Sequence, residues 1–304
     1  MRYVISGCTG CIGIALINKL NAENNEITAL LNPGSKRNPV IENIPKLTIL
    51  YAELGHYLHT NIKAEQDIFI HLAWSGGLER HDFERNQLSS FAAVEALVLA
   101  HRMGCKKFIS IGSQAEYGLT NEIIDEKLQC LPVNEFGIAK LNTYFRLCAK
   151  SKELGIEMTW LRVLSAYGPF DRSSAMIMST INSLLAGTAV KLSSCMQKWD
   201  FLHAHDIADA IIGLSTAQNT RDLYVIGSDD NLNLKSYVKE IIKEFDVNEK
   251  DIFGKMEIDR RNIVELSSNS RLLRHDISWY PKISFADGIK DLIRLERVNR
   301  QTQR

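Results

Sequence analysis

Three glycines set the chemistry that this sequence offers first. They stand in Gly7-Cys8-Thr9-Gly10-Cys11-Ile12-Gly13, after the apolar run Tyr3-Val4-Ile5 and before a helical pattern. Gly-x-x-Gly-x-x-Gly between a strand and a helix is a phosphate cradle. Gly7 permits the tight turn, Gly10 lets backbone approach a pyrophosphate, and Gly13 lets the helix pack close to the strand. The helix N-terminus adds free N–H groups and a partial positive charge. Thr9, Cys11 and Ile12 fill the loop and are expected beside the same dinucleotide. Cofactor choice is read at the end of the second strand, where a carboxylate favours NAD and a cation tolerates the 2′-phosphate of NADP. The chain has Leu31-Asn32-Pro33-Gly34-Ser35-Lys36-Arg37 there. Asn32 is no carboxylate and Lys36 and Arg37 follow, so NADP is expected over NAD. A second set of residues lies downstream: Ser113, then Phe136-Gly137-Ile138-Ala139-Lys140. Positions 136 and 140 share one face of a helix.

The elements that must position these groups follow from the hydrophobic pattern. Residues 2–6, 26–31, 47–51, 67–73, 107–111 and 158–163 read as strands, and 12–22, 87–102 and 136–152 as helices. Strand alternating with helix predicts an α/β protein built on a doubly wound parallel sheet. After about residue 165 the rhythm changes. The pattern there predicts a helix over 174–186, a strand over 188–192, a helix N-capped by Asp206, a strand over 223–226 and helices over 232–245 and 284–296. No Gly/Pro-rich linker divides the chain. The expected organisation is a dinucleotide-binding domain over 1–165 and a smaller C-terminal α/β lobe over 166–304, mainly for substrate, with segments crossing back to the sheet. The polar tail from Glu296 is expected to fray.

The 304 residues are 45% hydrophobic and 24% charged with zero net charge, which fits a globular protein. Zero net charge gives no long-range pull toward nucleic acid or anionic membranes. No 18-residue apolar run is present. The short run before the glycine loop is not expected to act as a signal peptide. A cytoplasmic protein without nucleic-acid or membrane partners is therefore expected. The six cysteines are expected reduced. Cys8 and Cys11 form a C-x-x-C with no second pair to complete a zinc site, and His203 and His205 have no carboxylate triad, so no metal is expected.

Taken together, the glycine loop, Ser113-Gln114-Ala115-Glu116-Tyr117-Gly118 and Phe136-Gly137-Ile138-Ala139-Lys140 resemble the extended short-chain dehydrogenase/reductase family. Its members oxidise, reduce, epimerise or dehydrate nucleotide sugars. His71-Leu72-Ala73-Trp74 is similar to the family's H-x-A motif. That implies a cofactor lined by Leu72, Ala73 and Trp74, with His71 structural, and Asn86 matches an asparagine of the following helix. The resemblance implies a Rossmann fold and a homodimer built through the 87–102 and 136–152 helices. It gives catalytic positions to Ser113, Phe136 and Lys140, and has Lys140 also donate to the nicotinamide ribose. The family pattern has tyrosine at position 136. A phenol whose pKa of about 10 is drawn down by a neighbouring lysine is the proton-transfer group there, and a phenyl ring has no such proton. Three readings stay open. The chain is an inactivated Tyr→Phe variant, or an enzyme whose proton comes from Ser113, Tyr117, Tyr167 or water, or a binding protein without turnover.

Dehydratases of the family carry an Asp-Glu pair after the serine or threonine, where this chain has Gln114 and Ala115, which cannot titrate. What the resemblance then implies is NAD(P)-dependent hydride transfer at one carbon: reduction of a 4-keto-deoxyhexose nucleotide, with 4-epimerisation as the alternative. The chain looks like the branch containing CDP-abequose and CDP-paratose synthases. Trp74, Gln114, Ala115, Ser165 and Arg172 are expected to meet the nucleotide-diphosphate sugar, Arg172 at its diphosphate. Trp74-Ser75-Gly76-Gly77 and Arg80-His81-Asp82 lie past a strand end, where ligands of such sheets bind. In Trp199-Asp200-Phe201-Leu202-His203 the tryptophan holds a place where the family often has arginine.

Overall fold

A computed structural model describes residues 1–60, 65–75, 80–257 and 265–302. The Gly76-Gly77 segment named above lies outside the described residues. The chain order is β1 (Arg2–Ser6), α1 (Cys11–Ala22), β2 (Glu26–Leu31), α2 (Pro39–Glu42), β3 (Leu47–Tyr51), β4 (Ile68–His71), α3 (Phe83–Arg102), β5 (Lys107–Ser113), α4 (Glu135–Leu154) and β6 (Glu157–Val163). There follow β7 (Ser165–Tyr167), α5 (Met176–Leu185), β8 (Lys198–Trp199), β9 (Phe201–His203), α6 (Ala204–Thr216) and β10 (Leu223–Ile226). β11 (Leu232–Asn233), α7 (Leu234–Ile242), α8 (Glu249–Ile252), α9 (Arg271–Ile277) and α10 (Phe285–Thr302) complete the described chain.

The main sheet has the order β10-β6-β5-β4-β1-β2-β3, every neighbouring pair parallel. This is a doubly wound Rossmann-type α/β fold. The strand order reverses between β1 and β4, so the crevice beyond their C-terminal ends is where a ligand belongs. The central strands are buried along almost their whole length, as a parallel sheet covered on both faces requires. On one face Leu16, Ile17 and Leu20 of α1 pack with Ile207, Ile211 and Leu214 of α6. On the other, Ala92, Ala96 and Leu97 of α3 pack with Phe69, Phe108 and Leu147. A third cluster sits under α5, α7 and α10, with Ile181, Tyr237, Ile241 and Leu292.

Local capping fixes the two helices that matter for the site. The Asp82 carboxylate accepts from the Arg85 N–H to start α3, and Asn134 Oδ1 accepts from the Gly137 N–H to start α4. Gly155, left-handed at φ +66°, stops α4.

Past residue 165 the sequence pattern misleads in two places. Residues 188–192 form no strand; the Leu192 N–H donates to the Ile252 carbonyl and the Leu192 carbonyl accepts from Lys255, so the run is held by a turn. Asp206 is not an N-cap. His203 Nδ1 caps α6 by accepting from the His205 N–H, and the Asp206 carboxylate accepts instead from the N–H groups of Lys282 and Ile283.

Candidate active site

The glycine loop is closed at both ends and open in the middle. Gly7 is left-handed (φ +74°), and a Cβ there would come within 2.5 Å of the Ala73 nitrogen. A Cβ on Gly13 would run into the carbonyls of Gly7 and Cys8. On Gly10 the one atom within 4 Å of a Cβ is the Gly7 oxygen, at 3.4 Å, so that position is far less crowded than the other two. No described side chain caps α1, which leaves its first-turn N–H groups for a ligand. These residues fit the pyrophosphate of a dinucleotide.

Two cavities meet at this loop. One, of about 480 Å³, lies at the ends of β1, β2 and β3, lined by Thr9, Asn32, Arg37 and Glu53 among others. The other, of about 840 Å³, is lined by Gly10, Ser113, Lys140, Arg172 and Trp199 among others. Gly7, Gly10, Leu72 and Trp74 line both. The Arg37 guanidinium donates to the Phe170 carbonyl at 2.5 Å, tying the loop after β2 to the loop after β7.

At the far end of β5 the Ser113 N–H donates to Glu116 Oε1 (2.8 Å), and Ser113 Oγ accepts from the Ala115 N–H (3.2 Å). An acceptor role toward backbone leaves the hydroxyl proton for another partner. Lys140 is buried, and its Nζ donates to the Ile111 carbonyl at 2.7 Å. Nζ also lies 3.8 Å from the ring centroid of Trp74, whose indole N–H donates to Asn86 Oδ1 at 3.0 Å. Burial pulls the Lys140 ammonium down to about 7, while Glu116 works to hold its proton on. Glu116 is itself buried and bound by Arg162 Nε at 2.6 Å and by the Trp160 indole at 3.1 Å. Burial works against the Arg162 charge, but Glu116 and Tyr117 outweigh it and hold the guanidinium above its ordinary value.

Phe136 closes this end. Its N–H donates to the Arg80 carbonyl at 2.9 Å, and its ring meets Trp74 edge-on at 6.0 Å. The Arg80 guanidinium lies 5.6 Å from the Phe136 centroid, its charge disfavoured by partial burial and by Arg172.

The family model for the NAD dependent epimerase/dehydratase family matches residues 3–227. The chain belongs to this family. dTDP-4-dehydro-6-deoxyglucose reductase of Escherichia coli is 26% identical over 198 residues, which span 63% of this chain and 61% of that protein. CDP-abequose synthase of Yersinia pseudotuberculosis is 24% identical over 260 residues, 80% of this chain and 82% of that one. The solved structure of UDP-N-acetylglucosamine 4-epimerase from Methanobrevibacter ruminantium M1, in complex with UDP-N-acetylmuramic acid, superimposes with a TM-score of 0.87 over 98% of each chain at 21% identity, a likeness of fold. The extended short-chain dehydrogenase/reductase assignment therefore holds, and with it the class: an oxidoreductase-type enzyme.

Within this epimerase/dehydratase fold the large cavity gathers Ser113, Gln114, Phe136, Lys140, Ser165, Arg172 and Trp74. Cys11, Ile12 and Gly13 line it too, and Ala73 joins Thr9, Asn32 and Arg37 on the smaller one. Two expected residues stand elsewhere. Lys36 is exposed and lines neither cavity, because the chain turns between Asn32 and Ser35 and leaves Arg37, not Lys36, on the wall. Ala115 is buried in a 3₁₀ turn, with its carbonyl packed against Gly137, so it forms no part of the wall.

The substitute proton donors narrow as well. The Tyr117 hydroxyl donates to the Asp125 carbonyl and accepts from Arg162, away from the cavity. The Tyr167 ring lines the cavity, but its hydroxyl is buried beside Gly288 with no partner among the described residues. Burial raises both phenols above their ordinary value. The Cys11 thiol is likewise pushed up, by burial and then by Asp171, so it stays protonated. Sequence reasoning missed Glu53, Asp171 and Gln197 as wall residues. A polar residue just past a strand end was the available signal for Glu53. Arg80, in the polar run past β4 where ligands of such sheets bind, lines the larger cavity.

Proposed function

We propose that this protein is a nucleotide-diphosphate-sugar 4-ketoreductase acting on a 4-keto-deoxyhexose nucleotide with NADP(H). One observation carries the reading: a single cavity begins at the glycine loop and has both Ser113 and Lys140 in its wall. A bound pyridine nucleotide would supply the hydride. The chain's own groups do the rest. The cradle from Gly7 to Gly13 would take the pyrophosphate, and Ser113 donates a hydrogen bond to the ketone oxygen. Arg172, also in the cavity wall, offers a guanidinium to the diphosphate. Gln114 stands beside Ser113 without a titratable group, which supports reduction over 4,6-dehydration.

For the cofactor, Arg37 is the one cation of the 36–37 pair on the adenosine-side wall, and the preference for NADP rests on it. The reading includes a cytoplasmic enzyme and a homodimer through α3 and α4. These helices pack on each other and leave Phe91 (56%) and Phe145 (59%) exposed. Sedimentation of the wild type and of Phe91→Glu tests the dimer.

The function is tested by following NADPH and NADH with the 4-keto-6-deoxyhexose nucleotides of CDP, dTDP, GDP and UDP, using the wild type and Phe136→Tyr. Consumption of reduced cofactor with one of them supports the reading. Interconversion of 4-hydroxy sugar nucleotides without net cofactor oxidation makes the protein a 4-epimerase instead. Binding without turnover in both proteins leaves a binding protein.

A further inference from the structure

We propose that Lys140 is the acid of this site, protonating the substrate's ketone oxygen in the role that Phe136 cannot fill. The proposal rests on the ketoreductase reading. Phe136 lines the cavity and its ring carries no exchangeable proton, the Tyr117 hydroxyl donates to the Asp125 carbonyl, and the Tyr167 hydroxyl is buried. Lys140 lines the cavity, and the one hydrogen-bond acceptor of its ammonium among the described residues is the Ile111 carbonyl. A lysine has three N–H donors, so protons remain for the cavity. Ile111 and Ser113 are alternate residues of β5, about 7 Å apart along the strand, which brings the amine and the hydroxyl to the same end of the cavity.

The charged groups around the amine come from several elements. Glu116 favours the ammonium from the turn after β5 but is bound by Arg162 of β6. His71 of β4 is neutral, held down to about 3 by burial and then by Lys140. Arg80 lies 5.6 Å from the Phe136 ring centroid, and the Lys140 ammonium 5.9 Å. Burial leaves the ammonium ready to release its proton near neutrality, where an acid works best. In the step, the carbonyl π bond opens, its carbon gains the hydride and its oxygen takes a proton from Lys140 Nζ, with Ser113 Oγ–H holding that oxygen. The neutral amine then recovers a proton from solvent.

The test has an arm that needs no substrate. Acetic anhydride acylates only neutral amines, so the pH dependence of Lys140 acylation, read by mass spectrometry, gives its midpoint. A midpoint near 7 is expected, and one above 9 overturns the proposal. With a substrate from the nucleotide panel, wild-type kcat should fall about tenfold per pH unit above that midpoint. Lys140→Arg keeps the charge but cannot release it, so kcat should drop at least about 10²-fold while NADPH affinity changes less than threefold. Turnover retained in Lys140→Arg overturns the proposal. So does a wild type that is inactive where Phe136→Tyr turns over, an outcome that leaves the ketoreductase reading standing. If neither protein consumes cofactor with any nucleotide while Lys140 titrates near 7, the ketoreductase reading fails and the acid role falls with it.

Discussion

The Lys140 ammonium lies 3.8 Å over the Trp74 ring, at the point where the two cavities join. A cation on an aromatic face is stabilised by about 2 kcal/mol when water is kept away, and Lys140 is buried. Trp74 therefore helps the amine keep its proton. Trp74→Leu should lower the acylation midpoint of Lys140 by about one pH unit, since one unit corresponds to about 1.4 kcal/mol. An unchanged midpoint would mean that the indole packs against the amine without holding its charge.

Gly10 and Gly13 should behave as opposites. A methyl on Gly13 has no room against the Gly7 and Cys8 carbonyls, whereas one on Gly10 meets only the Gly7 oxygen, at 3.4 Å. Gly13→Ala should cost about 2–4 kcal/mol of stability, of the order of other overpacked or strained sites. Gly10→Ala should unfold at nearly the wild-type temperature yet bind dinucleotide at least tenfold more weakly, because the methyl occupies the pyrophosphate's approach. Thermal melts beside calorimetric titration with NADPH distinguish the two. A Gly10→Ala protein that binds normally would remove the cradle from the argument.

Much of this was legible from residue types. The spacing of Gly7, Gly10 and Gly13 announced the loop, and the apolar runs gave all seven strands of the main sheet, β10 among them, because a strand buried on both faces must be apolar throughout. The short pairs β7–β9 and β8–β11 were not legible, since two or three residues are too few for an alternation to register. Asp206 misled because its type suits an N-cap, while the chain brings Lys282 and Ile283 to it and gives the cap to His203. Lys140 was legible as a site residue, but its depressed pKa was not. That comes from the burial of the amine in the folded chain, a tertiary fact.

Arg37 carries the cofactor expectation alone, and it shares its cavity wall with the Glu53 carboxylate. If Arg37 meets a 2′-phosphate, Arg37→Gln should weaken NADPH at least tenfold, as loss of a charge-assisted contact of about 1.5–3 kcal/mol implies. NADH, which lacks that phosphate, should change less than threefold. The ratio of the two dissociation constants is the measurement. Equal weakening would assign Arg37 to the Phe170 carbonyl, where it already donates, and make NAD the cofactor.

The buried amine should also be visible in stability. Lys140 releases its proton near 7 in the folded protein, against an ordinary value of 10.5 in the unfolded chain. Between those values the unfolded chain binds more protons, so stability rises with pH. Below about 7 both states are protonated, and the full cost of burying the charge is felt. Lys140→Met removes this dependence while leaving every other titrating group in place. The difference in unfolding free energy between the wild type and Lys140→Met should therefore move in favour of the wild type by up to about 1.4 kcal/mol per pH unit above 7. Urea midpoints at pH 7, 8 and 9 for both proteins measure it. Parallel curves would show that Lys140 keeps an ordinary lysine's proton in the folded state, and would deprive the site of its acid.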